Sequence, residues 1–580
     1  MTTRRLPAPT RLASSLLLTS ALLAACGGGD KTASADAAPL AFAPADTPYV
    51  FGMVEAMPGD VVERFMDRGD RMGELYAAQF KKLRAEMAKK GGDARTTKFV
   101  EALATEFEGK SLRESIALFG INGHQRMAFY GIGLAPVLRM ELADPAALPA
   151  LVGRIESKVG ETLPSGEVNG QHYWAVDFGE KDAPLMMLAA VVGNQLVMAL
   201  SPSQPDDTTL KTLLGLTPPK SSILDGERMS QLQQRHHFLP SMLGEIDSQR
   251  LLDTLAAPAT PLETAFLSAL HTEKPAISDE CRGEYATLTG LLPRVAFGYT
   301  RLDVQHMDQV SIIETAPALS KPLKTLRAPM PGMAASDDAA VSFGYSLRLG
   351  AIPALASQFA TAVNSAPFQC ESLDWLNQAA AEAPKAGNNP GIYMMAPAFS
   401  GVHLIVDDIA FDDEMKPSKL KGSLLVGSDN PQALLGMARR YVPQLSSLEV
   451  KTDGSLQKLD LPAIPDVDIQ VPTWVTATSN MLGIAFGAGA DADIAARMKS
   501  DPADQPLFVM GYDGALYMQF MQQVMKRAVE DAKSDEERAE LEQTTAVVSQ
   551  IYGEWFQHLG IRIDITDDGI AMTQNITSAP

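Results

Sequence analysis

The feature that most constrains the fold is a similarity between the ends of the two halves of the chain. The first half ends with Arg301-Leu302-Asp303-Val304 and the strand-like run Val310–Thr315. The second half ends with Arg562-Ile563-Asp564-Ile565 and the run Ile570–Thr577. Turn-forming residues separate the runs in both cases, so each segment predicts a β-hairpin. Two similar hairpins in equivalent places indicate an internal repeat.

Further matches precede the hairpins in the same order. The segment Ser278–Arg282 corresponds to Ser534–Arg538, and both have the composition of a helix start. Near the beginning of each half, Phe51-Gly52 corresponds to Phe343-Gly344 within a predicted strand. We therefore predict a tandem duplication, with chance similarity between two unrelated halves as the alternative.

The predicted fold class is α+β, with two homologous lobes in tandem, each an antiparallel sheet with helices packed on one face. Repeat 1 spans residues 45–318, and repeat 2 spans residues 337–580. Residues 319–336, which are rich in proline and alanine, are predicted to be the linker between them.

Residue periodicity predicts the elements of each repeat. The strands predicted in repeat 1 are Thr47–Glu55, Met127–Leu134, Val137–Leu142, His172–Phe178, Leu185–Val192 and Gln195–Leu200, and its helices are Gly59–Lys90 and Pro145–Val159. The counterparts predicted in repeat 2 are strands within Gly391–Val406, Lys419–Val426 and Trp474–Phe486, and a helix at Asn430–Tyr441. Asn169-Gly170 and Gly193-Asn194 have the residue types of tight hairpin turns.

Residues 1–25 have the layout of an export signal. Arg4, Arg5 and Arg11 precede the apolar run Leu16–Leu23, and small residues follow it. This run is shorter than the roughly 20 apolar residues that a membrane-spanning helix needs. An ordinary secretory leader with a chance cysteine is the alternative to the more specific interpretation that follows.

The segment Leu23-Ala24-Ala25-Cys26 resembles the lipobox of bacterial lipoprotein precursors. The resemblance implies that Cys26 becomes the lipidated, palmitate-bearing first residue of the mature chain. Because Gly27 follows the cysteine, it also implies sorting to the periplasmic face of the outer membrane. The mature body resembles only uncharacterised duplicated envelope lipoproteins, and that resemblance supplies no activity.

Residues 26–44 are rich in Gly, Ala, Ser, Asp and Pro, which predicts a flexible tether. The formal net charge is −21, and removal of a leader with three arginines and no acids makes it −24. Such a chain is repelled by nucleic acid and by anionic lipid surfaces. We therefore expect no nucleic-acid partner, and association with the membrane only through the lipid anchor.

Two cysteines follow Cys26, namely Cys281 and Cys370. In an exported protein such a pair commonly forms a disulfide, so we expect a bond between them, with two buried free thiols as the alternative. If the repeats are folded separately, this bond would connect one repeat to the other.

Each candidate motif for a metal, a cofactor or a nucleophile is incomplete, and a structural role explains it better. The eight histidines lack the spacing of a zinc site. The acidic run Asp407–Glu414 lacks the turn glycine of a calcium loop, and Asp564–Gly569 falls in a predicted hairpin. Gly487-Ala488-Gly489 lacks the rest of a phosphate loop, and Gly344–Arg348 lacks the second glycine of a nucleophile elbow. We therefore assign no catalytic, cofactor-binding or metal-binding residue.

The 27 methionines are unusually many. Their helical and strand spacing is typical of a core, and a flexible groove for a lipid or peptide is the alternative. The sequence as a whole favours a lipid-anchored envelope protein with a non-catalytic binding or scaffolding role and no cofactor. A carrier of an apolar ligand, in a Met-rich groove or a cleft between the lobes, and an envelope hydrolase remain alternatives.

Overall fold

The computed structural model describes residues 38–71, 94–177, 185–269, 279–328, 330, 332–333, 339–387, 399–412, 416–461, 471–499, 506–530, scattered positions within 532–545, and 556–579. The predicted signal segment, the lipobox and Cys26 lie outside these residues, as does most of Ser534–Arg538. By contact the chain divides into two compact units. Unit 1 contains the described residues up to 275 together with Gly298–Val304, and unit 2 contains the rest.

Helices and antiparallel strands make up both units, which confirms the prediction of an α+β chain. The described helices are α1 (Gly59–Arg71), α2 (Ala94–Phe107), α3 (Leu112–Ala117), α4 (Ala147–Val159), α5 (Asp207–Leu213), α6 (Arg228–His236), α7 (Ser248–Ala256), α8 (Pro261–Ala269), α9 (Asp279–Leu291), α10 (Pro317–Lys324), α11 (Ile352–Ser365), α12 (Asp374–Gly387), α13 (Pro431–Ala438), α14 (Ala490–Arg497) and α15 (Gly514–Glu530). The strands are β1 (Tyr49–Gly52), β2 (Met127–Ile132), β3 (Ala135–Glu141), β4 (Ser165–Val168), β5 (Gln171–Asp177), β6 (Leu185–Val192), β7 (Gln195–Pro202), β8 (Leu243–Asp247), β9 (Arg294–Leu302), β10 (His306–Glu314), β11 (Val341–Ser346), β12 (Gly401–Phe411), β13 (Pro417–Gly427), β14 (Gln457–Leu459), β15 (Thr473–Ala477), β16 (Met481–Phe486), β17 (Phe508–Asp513), β18 (His558–Ile565) and β19 (Gly569–Thr577).

The strands of unit 1 form an antiparallel sheet in the order β8-β1-β2-β3-β7-β6-β5-β4. The turns between paired strands have the predicted chemistry: Asn169, Gly170 and Gly193 all have positive φ. A positive φ causes almost no steric strain in glycine, and it causes less strain in asparagine than in most other residues. Strand β6 has the bounds that its apolar run predicts.

Helix α4 lies against the β5-β6-β7 part of this sheet. It buries Leu148, Leu151 and Ile155, which share one side of the helix because three or four residues make one turn. Gly160 ends the helix in the left-handed conformation. The buried side chains join a core cluster against which Trp174 packs from the sheet.

Residues 38–44, the last part of the predicted tether, are folded into unit 1. Residues Pro39–Phe42 form a 3-10 helix, and Leu40 is fully buried. Arg139, only 1% exposed, stacks 3.6 Å from the centre of the Phe42 ring and donates hydrogen bonds to Gln195 Oε1 at 2.8 Å and to the Leu214 carbonyl at 2.6 Å. These contacts hold the last residues of the predicted tether in place. The residues from Ala38 onward are therefore part of the folded unit 1.

The strands of unit 2 form an antiparallel sheet in the order β10-β19-β18-β17-β11-β12-β13-β16-β15-β14. One face of this sheet is covered by α14 and by Met330 and Met333, which form a core cluster with Leu425, Met481 and Ile494. The methionines of this cluster have the core role that their pattern predicts. The predicted linker is therefore ordered where it is described, because it includes most of α10 and these two buried residues.

The compact units and the predicted repeats divide the chain at different places. Helix α9 and strand β10 belong to repeat 1 by sequence but to unit 2 by contact. Strand β10 pairs with β19 along its whole length, from His306 opposite Thr577 to Glu314 opposite Gly569. The two hairpins that the sequence identified as similar therefore contribute neighbouring strands to the unit 2 sheet.

Candidate binding surfaces

The second face of the unit 2 sheet carries a row of large apolar side chains. Phe343 of β11 lies opposite Leu404 of β12 and Met510 of β17. In the next row on the same face, Tyr345 lies opposite Phe508. Directly opposed residues of antiparallel strands project from the same face of a sheet. We call this surface the aromatic face and define it by six residues, which are Phe343, Tyr345, Leu404, Phe508, Met510 and Met572.

The aromatic face is incompletely covered. Phe343 is 42% exposed, Met572 43% and Leu404 36%. Ile313 of β10 is 42% exposed and projects from the same face, because it lies two residues from Ser311, the partner of Met572. Within the described strands of unit 2, the large apolar side chains that are exposed to this extent all lie on this one face.

The aromatic rings of this face contact one another. The ring centres of Phe343 and Phe508 lie 5.6 Å apart with the planes at 84°, and those of Phe343 and Tyr345 lie 6.4 Å apart. Tyr345 also contacts Phe399, with 5.9 Å between ring centres. Edge-to-face contacts of this kind hold aromatic rings in place. The surface is therefore fixed by its own packing while its outer side remains accessible.

The covered face of the same sheet includes a buried histidine beside a glycine. His403 of β12 lies opposite Gly344 and Leu425 and is fully buried. A Cβ atom on Gly344 would lie 2.7 Å from the His403 ring, so only glycine fits there. The pKa of His403 is lowered to about 4, chiefly by burial and also by the charge of Arg497, while a backbone hydrogen bond with Gly332 opposes part of the shift. The histidine is therefore neutral at physiological pH.

A groove opens on unit 1 between α4 and the edge of the sheet. Its volume is about 540 Å³, which falls within the range of small-molecule sites. Its floor includes Trp174 of β5 and Val191 of β6, and Gly153 of α4 lies across from them. We call it the Trp174 groove. Its lining residues are Pro149, Val152, Gly153, Glu156, Thr162, Ser165, Gln171, His172, Trp174 and Val191.

Hydrogen bonds and ring contacts fix the side chains of the Trp174 groove. The His172 ring meets the Trp174 ring edge-on, at 5.1 Å between centres and 80° between planes. The Gln171 amide nitrogen donates to the carbonyls of His172 at 2.9 Å and Val191 at 3.0 Å. Glu156 Oε1 accepts a hydrogen bond of 2.7 Å from the backbone nitrogen of Leu163. These contacts restrict the movement of Trp174, Gln171 and Glu156, which all line the groove.

Four of the acidic side chains that the sequence singled out form ion pairs. Asp407 pairs with Arg497, Asp408 with Lys419, and Asp567 with Lys324. Arg562 donates to both carboxylate oxygens of Asp564, at 2.6 and 3.0 Å. Among the described residues, no group of three or more His, Cys, Asp or Glu side chains has the arrangement of a metal site.

The remaining sequence candidates have structural roles. Ser346, the serine of the incomplete nucleophile elbow, is fully buried, and its hydroxyl donates to the Pro506 carbonyl at 2.8 Å. Gly487 and Gly489 both have positive φ and form the turn from β16 into α14. Adjacent His236 and His237 point in different directions, since the first is buried against Phe238 and the second is exposed.

Cys281 and Cys370 form the predicted disulfide, with 4.9 Å between their Cα atoms. Glu284, one turn after Cys281 on α9, accepts hydrogen bonds from the backbone nitrogens of Gln369 at 2.6 Å and Cys370 at 2.9 Å. Both cysteines lie in unit 2. The bond therefore lies within one compact unit and does not connect two separately folded parts, as the sequence analysis expected, because α9 belongs to unit 2 by contact.

The sequence alone did not identify either candidate surface. The alternation of Phe343 and Tyr345 was visible, but an alternating strand has the same pattern whether its apolar side is covered or open. Trp174 is similarly an ordinary apolar residue of a predicted strand. Only the arrangement of strands and helices distinguishes a covered side chain from an accessible one.

None of the described helices has the length and apolar character required to cross a membrane. No family model, no curated protein and no solved structure matches this chain.

Proposed function

We propose that this chain is a lipid-anchored cell-envelope protein with a non-catalytic binding role, and that the aromatic face of unit 2 holds an apolar ligand. The observation that carries the proposal is the clustering of Phe343, Leu404, Met572 and Ile313, all at least 36% exposed, on one side of one sheet. Contiguous exposed apolar surface on a folded protein is typical of a ligand or interaction site.

The chemistry of the aromatic face favours an apolar ligand. Phenylalanine, methionine and leucine side chains gain free energy when they leave water, at about 25 cal/mol per Å² of buried apolar area. Methionines such as Met510 and Met572 adapt to ligands of different shape because their side chains are unbranched and flexible. The opposite face of the sheet is closed by the Met330 cluster, so a ligand approaches this sheet from one side.

The proposal includes the tandem duplication of the α+β unit, with repeats at 45–318 and 337–580. The strand pairings support it, because β1 lies between β2 and β8 as β11 lies between β12 and β17. The pairings β2-β3, β3-β7, β7-β6 and β6-β5 likewise have counterparts in β12-β13, β13-β16, β16-β15 and β15-β14. Phe51 and Phe343, which the sequence matched, occupy equivalent places in these pairings.

The proposed location at the periplasmic face of the outer membrane is based on Cys26 and Gly27 in the lipobox-like segment. Several acyl chains on one residue hold a protein far more stably than a single chain does. The net charge of −21 favours attachment through the lipid rather than through the protein surface.

Replacement of Phe343 by glutamine is expected to weaken the binding of an apolar ligand by roughly tenfold, since about 1.4 kcal/mol of aromatic contact is lost. Binding is measured by fluorescence titration with the neutral probe N-phenyl-1-naphthylamine, using the Cys26→Ser protein without detergent. Because Phe343 is already 42% exposed, little folding stability is lost.

The matched control is Phe359→Gln, which removes a phenylalanine of α11 that is 36% exposed and does not belong to the aromatic face. It is expected to bind the probe as the unsubstituted protein does. Equal affinities for all three proteins, or no saturable binding, would contradict the proposed site.

A further inference from the structure

We propose that the Trp174 groove of unit 1 binds a neutral saccharide. The groove combines an indole ring with several hydrogen-bonding side chains from three separate elements. A sugar is complementary to this combination, because its ring has apolar C–H faces and carries hydroxyl groups around its edge. The inference does not depend on the lipid anchor or on the aromatic face, since the groove belongs to unit 1 and both of its walls are described.

Trp174 supplies the apolar platform. Part of its indole packs against the core cluster that includes Leu148, Leu151 and Ile155, and part lines the groove. The edge-on His172 ring and the core contacts together limit its rotation. A ring that is fixed before the ligand arrives loses little conformational entropy on binding. The C–H face of a pyranose can therefore stack on it without rearrangement.

The polar groups around Trp174 are suited to hydroxyl donors. Both described bonds of the Gln171 amide nitrogen go to backbone carbonyls, which leaves the amide oxygen to accept. The second carboxylate oxygen of Glu156 is also an acceptor, because Oε1 already serves the Leu163 nitrogen. Ser165, which is exposed and lines the groove, carries a hydroxyl that can donate or accept.

Charge and polarity narrow the ligand class. The lining residues include the carboxylate of Glu156 but no lysine or arginine, and the chain carries a net charge of −21, so an anionic ligand is disfavoured. A purely apolar ligand would leave the polar groups of Glu156 and Gln171 without partners, which is unfavourable. A neutral, polyhydroxylated ring satisfies both the indole and its polar surroundings.

Gly153 provides a direct test, because it lies on the exposed side of α4 and faces the groove. A Cβ atom built on it meets no atom within 4 Å, so a larger side chain enters open space. Leucine is also a better helix former than glycine, so Gly153→Leu fills the groove without weakening α4. Gly436 of α13 in unit 2 likewise has open space around it, and Gly436→Leu is the matched control.

Binding is measured by isothermal titration calorimetry on the full-length protein in a detergent without a sugar headgroup. The probes are the tetrasaccharide of N-acetylglucosamine and cellotetraose. We expect saturable binding of at least one probe, weakened by roughly tenfold or more in Gly153→Leu and unchanged in Gly436→Leu. Trp174→Phe, which keeps an aromatic ring against the core, is expected to weaken binding less than Gly153→Leu does.

The proposal is overturned if neither saccharide binds the unsubstituted protein, or if Gly153→Leu binds as tightly as Gly436→Leu. It is also overturned if N-phenyl-1-naphthylamine, rather than a saccharide, is the ligand that Gly153→Leu excludes, because the groove would then be an apolar site. Equal thermal unfolding midpoints of the two leucine variants show that any difference in binding comes from the groove.

Discussion

Removal of the Cys281–Cys370 disulfide is expected to lower the free energy of unfolding of unit 2 by roughly 4–5 kcal/mol. The bond closes a loop across a sequence separation of 89 residues, which restricts the unfolded chain and so raises its free energy. The loss of stability increases with the length of the closed loop, and this loop is among the longer ones that a disulfide closes within a domain. The double variant Cys281→Ser/Cys370→Ser is compared with the unsubstituted protein in urea, with hydrogen exchange of β18 and β19 reporting on unit 2 by itself.

The folded arrangement around the missing bond is expected to persist in this variant. Glu284 still accepts hydrogen bonds from the Gln369 and Cys370 backbone nitrogens, and the hydroxyls of Tyr285 and Ser372 still share a hydrogen bond of 2.9 Å. The exchange rates of β6 and β7 in unit 1 serve as the internal control. A loss below about 1 kcal/mol in unit 2 would contradict the loop-closure account.

Acidification is expected to destabilise unit 2 through His403. Burial lowers the folded-state pKa of this residue to about 4, from an ordinary value of 6.5. Between pH 6.5 and pH 4, the His403 imidazole therefore binds a proton in the unfolded chain but not in the folded chain. The stabilising contribution is complete above pH 6.5, declines as the pH falls, and is lost below about pH 4. A shift of this size corresponds to about 3 kcal/mol.

The variant His403→Leu separates this effect from the titration of other groups. Leucine is apolar like Leu425, which lies opposite position 403, and it has no proton to gain. We expect the difference in unfolding free energy between pH 7 and pH 4.5 to be smaller in this variant by about 2–3 kcal/mol. The control is His172→Gln, which removes an exposed histidine from unit 1. An unchanged pH dependence in His403→Leu would show that His403 is not the titrating group.

Local structure was predicted from the sequence where periodicity and turn chemistry agree. Strand β6 has the predicted bounds, strand β16 lies within the predicted segment Trp474–Phe486, and the Asn169-Gly170 turn has the backbone conformation that its residue types favour. These predictions succeed because the period of two and the positive φ are properties of a few adjacent residues.

Long-range pairing was not predictable in the same way. The sequence identified two similar closing hairpins but not that β10 and β19 are neighbours in one sheet. It predicted the bond between Cys281 and Cys370 but placed it between separately folded repeats, whereas contact places both residues in unit 2. The packing of a segment on one unit or the other depends on complementarity between surfaces that are distant in the chain. A single sequence contains no local pattern that reveals this complementarity.

The most direct test of the central claim, that the protein acts from a lipid anchor, is membrane fractionation of the Cys26→Ser variant. We expect the unsubstituted protein to remain with the membrane after a high-salt wash, and Cys26→Ser to appear in the soluble fraction with its disulfide and fold intact. Replacement of the neighbouring Gly29 by alanine is the control and is expected to leave the protein on the membrane. A Cys26→Ser protein that stays on the membrane after the salt wash would contradict the claim.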